Sequence, residues 1–464
     1  MSLPIQVTFA LTSWVAKGLQ DGTFERVGGV IRDVTSKKIV TWLRDTNSVA
    51  PSLISVAANP VTGILNLITS GANAGISVKG FSNVNQRLDG IENQIVSAAN
   101  PVSGILNLIA SGANAGISAK GFSDVNQRLD SVENQIDSIG QSLQFSQSIL
   151  QVSTAASILN LGVSVMGFAV ISQRLKELEQ KLKKAEELLN KVNRKIDLSF
   201  YSNFRAALDL AMNAFTMTKA ENRRDSALQA INRFLEAEHI YTDFTDIEIE
   251  KQSQIADEYL LTLSLAYLAE ARCYLELEEH DTAIRRFQEG RKVLQSRIHK
   301  YINILLTSNP AVYLHPEFQG QIDLKRLVKI YQWINSNLDE NTVFENQRKN
   351  LFKIAKDHTE WIDLLPPAIL DRVEIQGGWF GPNHDELKEA AFQRLPQVFE
   401  VMESMIETNN RFESYQTEIQ AISQLGISFH EWLQLKPSTE VKPEQAELIF
   451  IIPSEPLDLD FGFN

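Results

Sequence analysis

Histidine, cysteine and carboxylate side chains are the groups in this chain that could do acid–base, nucleophilic or metal chemistry. The 464 residues include seven histidines and one cysteine. His239 and His384 each have carboxylates as near neighbours in sequence, but neither has a second imidazole at metal-ligand spacing. The histidines are therefore interpreted as surface or capping groups. We predict no catalytic residue, no metal site and no cofactor.

The usual sequence motifs of catalytic and nucleotide sites are also missing. The chain contains no P-loop, no GxGxxG after a strand, no GxSxG and no HExxH. Cys273, between Arg272 and Tyr274, is predicted to be a small buried apolar residue. Acidic clusters such as Glu276–Asp281 are interpreted as solvated helix faces. An enzymatic function is therefore the least favoured interpretation of the sequence.

Composition places the chain among globular proteins of two or three domains. Apolar residues make up 44% and charged residues 22% of the sequence, and the net charge is −13. Residues 1–200 hold 18 Lys/Arg and 15 Asp/Glu, a charge of +3, so residues 201–464 carry −16. The acidic part should repel nucleic acid, whereas the N-terminal part has no such barrier to an anionic lipid surface. The start lacks a basic region and a cleavage site, which predicts a soluble, cytoplasmic protein as made.

Two near-identical segments dominate the N-terminal third. Residues 59–95 and 100–136 are related by a shift of 41 positions and differ at six of 37 places. A third, edited copy has ILNL at Ile158–Leu161 and a related stretch from Gly167 to Gln180. Asparagine followed by proline opens each of the first two copies, as at a helix start. We expect a continuous helix through each copy.

The second half of each copy carries apolar residues at three- and four-residue spacing, which indicates a coiled-coil seam. In the third copy the seam extends over about four heptads. Its core positions are Leu175, Leu178, Leu182, Leu189, Val192 and Ile196.

The first halves of the copies lie in three windows without any charge, residues 46–78, 93–119 and 138–173. Residues 148–172 alone are long enough to cross about 30 Å of hydrocarbon as a helix. Both GANAG segments place glycines four apart (Gly71 and Gly75, Gly112 and Gly116), a spacing that lets helices approach closely in lipid. The residues predicted to insert into a membrane are Ile64, Leu65, Leu67, Ile68, Ile105, Leu106, Leu108, Ile109, Ile158, Leu159, Leu161, Val163, Val165, Met166 and Phe168. A fully buried bundle in water explains the same windows equally well.

The remaining segments complete a fold predicted to be all-α, with long helices, a coiled-coil stalk, tandem 41-residue repeats and a C-terminal helical bundle. Residues 1–50 are an entry segment in which Gly28–Asp45 forms either a short hairpin or two helical pieces. The repeat region spans 51–200 and an acidic helical domain spans 201–435. Residues 436–464 form an extended tail, whose apolar run at Leu448–Ile452 is a docking strand or an arm over the body.

Two resemblances accompany these patterns. In residues 256–299, the combination of Ala271, Tyr274, His280-Asp281, Ala283 and Phe287 resembles one tetratricopeptide-type helical hairpin, and the alternative is an ordinary antiparallel helix pair. The plan of residues 50–200 resembles α-helical pore-forming toxins and related membrane-disrupting effectors. That resemblance implies homo-oligomerisation through the repeats in a lipid bilayer, with the acidic domain outside it. The alternative function is a non-enzymatic scaffold whose C-terminal helical domain docks a protein partner.

Overall fold

The computed structural model describes residues 5–9, 11–45, 168–189, 199–318, 320–356, 360–372, 383–437 and 448–459. These residues are mostly helical, which confirms the predicted fold class. Residues 1–49 and 148–464 belong to one compact unit, so all the described segments are parts of one folded body. The divisions predicted at residues 200 and 435 fall inside that unit. The first two repeats lie outside the described residues.

A five-stranded antiparallel sheet joins the two ends of the chain. Its strands are β1 (Ile5–Thr8), β2 (Phe24–Val27), β3 (Val30–Asp33), β4 (Ile39–Asp45) and β5 (Leu448–Pro453), in the spatial order β1-β5-β4-β3-β2. A short helix, α1 (Ser13–Gln20), connects β1 to β2. The predicted all-α fold contained strands only as alternatives, a hairpin at Gly28–Asp45 and a docking strand at Leu448–Ile452, and the structure joins both into one sheet on the helical body.

Of the two alternatives for Gly28–Asp45, the structure has the hairpin, formed by β3 and β4. Asp33 fixes the turn, because its side chain accepts hydrogen bonds from the backbone N–H groups of Thr35 at 3.0 Å and Ser36 at 2.6 Å. An aspartate that bonds the backbone two or three residues on stabilises a tight turn without help from the rest of the fold.

The tail supplies a central strand. β5 pairs with β1 on one side, where Ile5 is opposite Pro453, and with β4 on the other, where Trp42 is opposite Ile451. All six residues of β5 are buried. An unbroken apolar run suits a strand that is covered on both faces, which explains why this segment does not alternate polar and apolar residues.

Eleven α-helices occur among the described residues. After α1 they are α2 (Phe168–Leu189), α3 (Ser199–Thr216), α4 (Ala220–Glu250), α5 (Ala256–Glu276), α6 (His280–Leu305), α7 (Leu324–Ile334), α8 (Glu340–Lys356), α9 (Glu360–Asp363), α10 (His384–Leu425) and α11 (Phe429–Leu433). Short 3₁₀ turns at Pro310–Leu314 and Pro316–Phe318 connect α6 to α7.

Helices α3 to α6 pack against their neighbours in chain order, and α2 packs on α3 and α5. The segment proposed to resemble a tetratricopeptide hairpin consists of α5 and α6, joined by the three residues 277–279. Ala271 and Phe287 are fully buried in this pair. The pair therefore has the helix–turn–helix form expected of either alternative, and the tetratricopeptide resemblance stays a prediction.

The longest helix, α10, lies against both the sheet and the helical layer, since it contacts β2 on one side and α6 on another. It begins with a capping box between Asn383 and Glu386 and ends at Gly426, whose φ of 63° is left-handed. Residues 404–419 of α10 are buried almost without exception, including charged ones. A helix enclosed on opposite sides must place polar side chains in the interior, where they need partners.

Candidate functional site

Residues 46–167, which contain the first two repeats, are inserted in the chain between β4 and α2 of the body. β4 ends at Asp45 and α2 begins at Phe168. We treat the side chains that hold these two elements as the candidate site. They are called the β4 anchor, formed by Trp42, Arg44, Glu418 and Trp432, and the α2 anchor, formed by Phe168 and the buried residues that follow it.

Arg44 is the centre of the β4 anchor and is only 1% exposed. Its guanidinium donates to the backbone carbonyls of Trp432 at 3.1 Å and Leu435 at 3.2 Å, and lies 3.7 Å from the Glu418 carboxylate. Burial lowers the pKa of Arg44, although the nearby Glu418 carboxylate opposes that shift. An arginine stays charged even so, and this charge is neutralised by one buried carboxylate.

The Glu418 carboxylate also accepts a hydrogen bond of 2.6 Å from the indole N–H of Trp432. The two tryptophans, Trp42 and Trp432, meet edge to face with centroids 5.7 Å apart. This anchor therefore ties β4 to α10 by an ion pair, and to α11 and the residues just after it by two hydrogen bonds and an aromatic contact, while a third hydrogen bond joins α11 to α10. Removal of one partner would leave a buried polar group unsatisfied.

The α2 anchor begins with an aromatic stack. The rings of Phe168 and Phe215 lie 5.7 Å apart, with their planes 3° from parallel. The next residues on the same face of α2, at three- and four-residue spacing, are buried in the main core; they are Ile171, Leu175, Leu178 and Leu182. They face α3 and α5 of the same chain, so this part of the seam is covered without a second chain.

One buried carboxylate supports the α2 anchor. Glu179 forms an ion pair with Arg205 of α3 at 2.7 Å and another with Lys183, one turn further along α2, at 2.8 Å. Its side chain is about as buried as the leucines beside it. The ion pair to α3 fixes the rotation of α2 about its axis, because the glutamate faces inward only in this orientation.

Several residues singled out in the sequence lie in this site or outside the described residues. Phe168, predicted to insert into a membrane, is packed on Phe215. Leu189 ends α2, and nothing further is described of its side chain. The other membrane-inserting residues lie outside the described residues, as do Gly71, Gly75, Gly112, Gly116, Val192 and Ile196. Their insertion and packing roles stay predictions.

The sheet is joined to α10 by a second set of buried ion pairs that the sequence did not suggest. Arg26 of β2 contacts Glu407 at 2.5 Å, and Arg32 of β3 contacts Glu413 at 2.5 Å. Glu413 also accepts from Arg291 of α6 at 2.6 Å. One carboxylate thus links the sheet and the helical layer through two arginines.

A third buried charge cluster lies between α4, α5 and α6. Arg286 of α6 donates to Glu238 of α4 at 2.5 Å, to Glu270 of α5 at 2.6 Å and to Glu289 of its own helix. Its guanidinium also lies over the ring of Tyr267, 5.3 Å from the centroid. We call these residues the Arg286 cluster.

Glu238 and Glu270 face the same guanidinium, since each accepts a hydrogen bond from Arg286. Burial and the neighbouring Glu270 raise the pKa of Glu238 to about 10. Burial also raises the pKa of Glu270. We interpret the pair as sharing a proton at neutral pH, because two buried carboxyl groups that face one arginine do not both ionise. A perturbed carboxyl in a cleft can be catalytic, but here both acids are enclosed by helices and bound to Arg286.

The structure tests the sequence interpretations of Cys273 and Glu276. Cys273 is buried, as predicted. Glu276 was interpreted as part of a solvated face, which is wrong, because its side chain is only 11% exposed and pairs with Arg272. The burial follows from α11, whose Phe429 ring covers the Arg272 guanidinium at 4.5 Å.

The described segments contain neither a cluster of metal-ligating residues nor a helix that could span a membrane. No group of three or more His, Cys, Asp or Glu residues in these segments could hold a metal ion. No helix in the same part of the chain is both long and apolar enough to cross a membrane.

Comparison with known proteins finds no match to the chain among family models, curated proteins or solved structures.

Proposed function

We propose that the protein permeabilises a lipid bilayer by inserting the uncharged windows of its repeat region, while the folded body stays outside. The observation that carries the proposal is that all three windows, residues 46–78, 93–119 and 138–173, belong to the insertion that follows β4 and ends in the first turns of α2. The apolar character is thus concentrated in one stretch of the chain, and both ends of that stretch are attached to folded elements.

Free energy favours moving such windows out of water. Apolar surface contributes roughly 25 cal/mol for each Å² removed from water, and large exposed apolar patches lead to association or aggregation. The asparagine amides in the repeats oppose insertion of a single helix, since each needs a partner in lipid. Assembly of several copies, with contacts at Gly71, Gly75, Gly112 and Gly116, would supply those partners.

The charge of the folded body is consistent with a domain that stays outside the membrane. Residues 201–464 carry a formal charge of −16, and many of these charges are organised in ion pairs between elements. Transfer of such groups into hydrocarbon is expensive. Under this proposal the protein is soluble and cytoplasmic before insertion, forms a homo-oligomer in the bilayer, and acts without catalysis or a cofactor.

Release of a dye from lipid vesicles tests the proposal. The full-length protein is added to vesicles of phosphatidylcholine with and without phosphatidylglycerol, over a range of pH. We expect release that rises more steeply than in proportion to protein concentration, because several copies must assemble. Absence of release under every condition, with the protein recovered in the aqueous phase, would contradict the proposal.

A matched pair of variants tests the glycine contacts. Gly71→Leu combined with Gly112→Leu places bulk at the proposed helix contact, whereas Ala72→Leu with Ala113→Leu adds the same side chains one position further on. We expect the first pair to reduce release at least tenfold and the second pair to reduce it less. Thermal unfolding of both pairs checks that the body is intact. Equal release by the two pairs would contradict assembly through the glycines.

The second candidate is a scaffold that docks a protein partner, which the helical hairpin of α5 and α6 favours, since helix pairs often form recognition surfaces. Chemical cross-linking separates it from the first. A small oligomer of fixed size that forms without lipid, together with no dye release, would favour the scaffold.

A further inference from the structure

A polar groove lies between α7 and α8, away from both anchors in sequence. Its volume is about 360 Å³. The polar residues that line it are Tyr331, Asn346, Gln347, Lys349, Asn350 and Lys353, and no carboxylate is among the described lining residues. Volumes of this size are typical of small-molecule sites.

At the base of the groove, two hydrogen bonds connect Gln347 and Asn350 of α8 with Asn309. Gln347 is 2% exposed, and its side-chain oxygen accepts from the Asn350 amide at 3.5 Å. The backbone carbonyl of Asn350 accepts in turn from the Asn309 amide at 3.3 Å. Amide groups with fixed orientation can distinguish a ligand by its hydroxyls, since each amide offers a donor and an acceptor.

The rim of the groove is cationic in an acidic protein. The charged residues that line the groove are Lys349 and Lys353, while the whole chain carries −13. Lys349 and Lys353 are exposed, lie one helical turn apart, and form no ion pair with a carboxylate of the described residues. Like charges at this spacing repel each other unless an anion lies between them.

We propose that this groove binds a phosphorylated polyol, with the phosphate between Lys349 and Lys353 and the hydroxyls on the amides of Asn346 and Asn350. Lysine ammonium groups bind phosphate as point charges, and the Tyr331 ring provides an apolar face for the carbon skeleton of the ligand. The ligand is either a free sugar or inositol phosphate, or the same group as a lipid headgroup. The inference does not depend on bilayer permeabilisation.

Titration calorimetry with soluble inositol 1-phosphate tests the site directly. We expect binding to the full-length protein that is at least tenfold tighter than binding of inorganic phosphate or of unphosphorylated inositol. No detectable binding of inositol 1-phosphate would overturn the proposal. Equal affinity for inositol 1-phosphate and inorganic phosphate would overturn the assigned role of the amides.

Charge-matched variants separate a site from general attraction. Lys349→Glu with Lys353→Glu should weaken inositol 1-phosphate binding at least tenfold. Lys292→Glu with Lys300→Glu changes the net charge equally on exposed positions of α6 and should leave the affinity within twofold. Asn346→Trp fills the groove without a change of charge and should also abolish binding. Equal losses in the two lysine pairs would show that binding is non-specific and would overturn the proposal.

A parallel binding experiment with lipid vesicles shows whether the ligand is a lipid headgroup or a free metabolite. Binding to phosphatidylinositol vesicles but not to phosphatidylcholine vesicles, with competition by soluble inositol 1-phosphate, supports the groove as a headgroup site. Binding of the soluble compound alone supports a free metabolite. Vesicle binding that persists in the Lys349→Glu, Lys353→Glu variant would overturn the headgroup assignment. Dye release is not the readout here, so failure of the permeabilisation proposal leaves these outcomes unchanged.

Discussion

Arg286 on α6 donates to the carboxyl of Glu238 on α4 at 2.5 Å, although the two residues are 48 positions apart. Glu270 on α5 completes the contact, so a single guanidinium joins three consecutive helices. The side chain of Glu238 is 5% exposed and that of Glu270 is fully buried. The arginine is therefore the main compensation for two buried acids, and its loss has predictable consequences.

Arg286→Met should destabilise the body by about 3–5 kcal/mol at pH 7, because it leaves acidic groups buried without their counter-charge. The free energy of unfolding in urea, followed by circular dichroism, measures this loss. Arg285→Met is the matched control, since Arg285 is exposed and adjacent, and a surface change of this kind typically costs less than about 0.5 kcal/mol. Similar values for both variants would refute the structural role of the cluster.

Glu238→Gln should become more stable relative to the original protein as pH rises from about 5 to 9. The pKa of Glu238 in the folded state is raised from 4.5 to about 10. The stability that protonated Glu238 adds is therefore complete at a pH below its pKa in the unfolded state. This stability is lost as pH rises towards the pKa in the folded state, at no more than about 1.4 kcal/mol per pH unit. Glutamine mimics the protonated acid and has no such loss.

The measurement is the difference in melting temperature between Glu238→Gln and the original protein at pH 5, 7 and 9. The control is Glu236→Gln, which alters an exposed carboxylate on the same helix and should give a difference that does not change with pH. A flat profile for Glu238→Gln would mean that this residue is ionised in the folded protein.

Trp432→Phe should cost about 1–3 kcal/mol, because it removes the N–H group that donates to the buried Glu418 carboxylate at 2.6 Å. The ring contact with Trp42 is largely kept, so the loss reports the hydrogen bond. Trp14→Phe is the control, since Trp14 is 46% exposed. Chemical unfolding of both variants provides the comparison, and a cost for Trp14→Phe as large as for Trp432→Phe would contradict the assignment.

Gly28→Ala should destabilise more than Gly22→Ala, although both glycines have a positive φ, of 54° and 78°. A methyl group at Gly28 would lie 2.4 Å from the backbone carbonyl oxygen of Asn410 in α10, whereas nothing lies within 4 Å at Gly22. Alanine at Gly22 therefore costs only the backbone strain, about 1 kcal/mol. At Gly28 the sheet must also move away from α10, and thermal unfolding should show the larger loss. Equal losses would mean that the sheet and α10 separate easily.

The predicted helices depended on local spacing, and this is why the seam of α2 could be identified from the sequence. Leu175, Leu178 and Leu182 share one face of a helix by their spacing alone, and the structure buries all three. What covers them could not be predicted, because a periodic apolar face fits a helix of the same chain as well as a second chain. Burial of this face against α3 and α5 depends on how the whole chain folds.

The β3–β4 hairpin could be proposed from local sequence, but the complete sheet could not, because the strand pairs of β5 with β1 and β4 are distant in sequence. Trp42 pairs with Ile451 across about 400 residues, and no local pattern specifies such a partner. One signal was present in β4, where Val40, Trp42 and Arg44 lie on the same strand face. An arginine on an otherwise apolar face indicates a buried ion pair, and Glu418 is that partner. Glu413 gave no such signal, since a glutamate in a long helix is usually solvated.

Phe168→Ala should increase dye release from vesicles if the permeabilisation proposal is correct. Phe168 belongs to the third uncharged window and is held in the body by its stack on Phe215. Loss of a buried phenylalanine costs about 3–5 kcal/mol, and here that cost falls on the contact that attaches the window to α3. Phe215→Ala removes the other half of the stack without a change in the window, so it should increase release by a similar factor.

General unfolding is the competing explanation, and Phe399→Ala distinguishes it. Phe399 is fully buried in α10 against Tyr313, so its removal weakens the body at a contact that does not involve α2. Comparison of release rates at matched fractions of folded protein separates the two causes. Release that rises equally in all three variants would indicate unfolding, whereas release that rises only for Phe168→Ala and Phe215→Ala indicates that the stack restrains insertion. The second outcome is expected, because α2 is the element through which the third window joins the body.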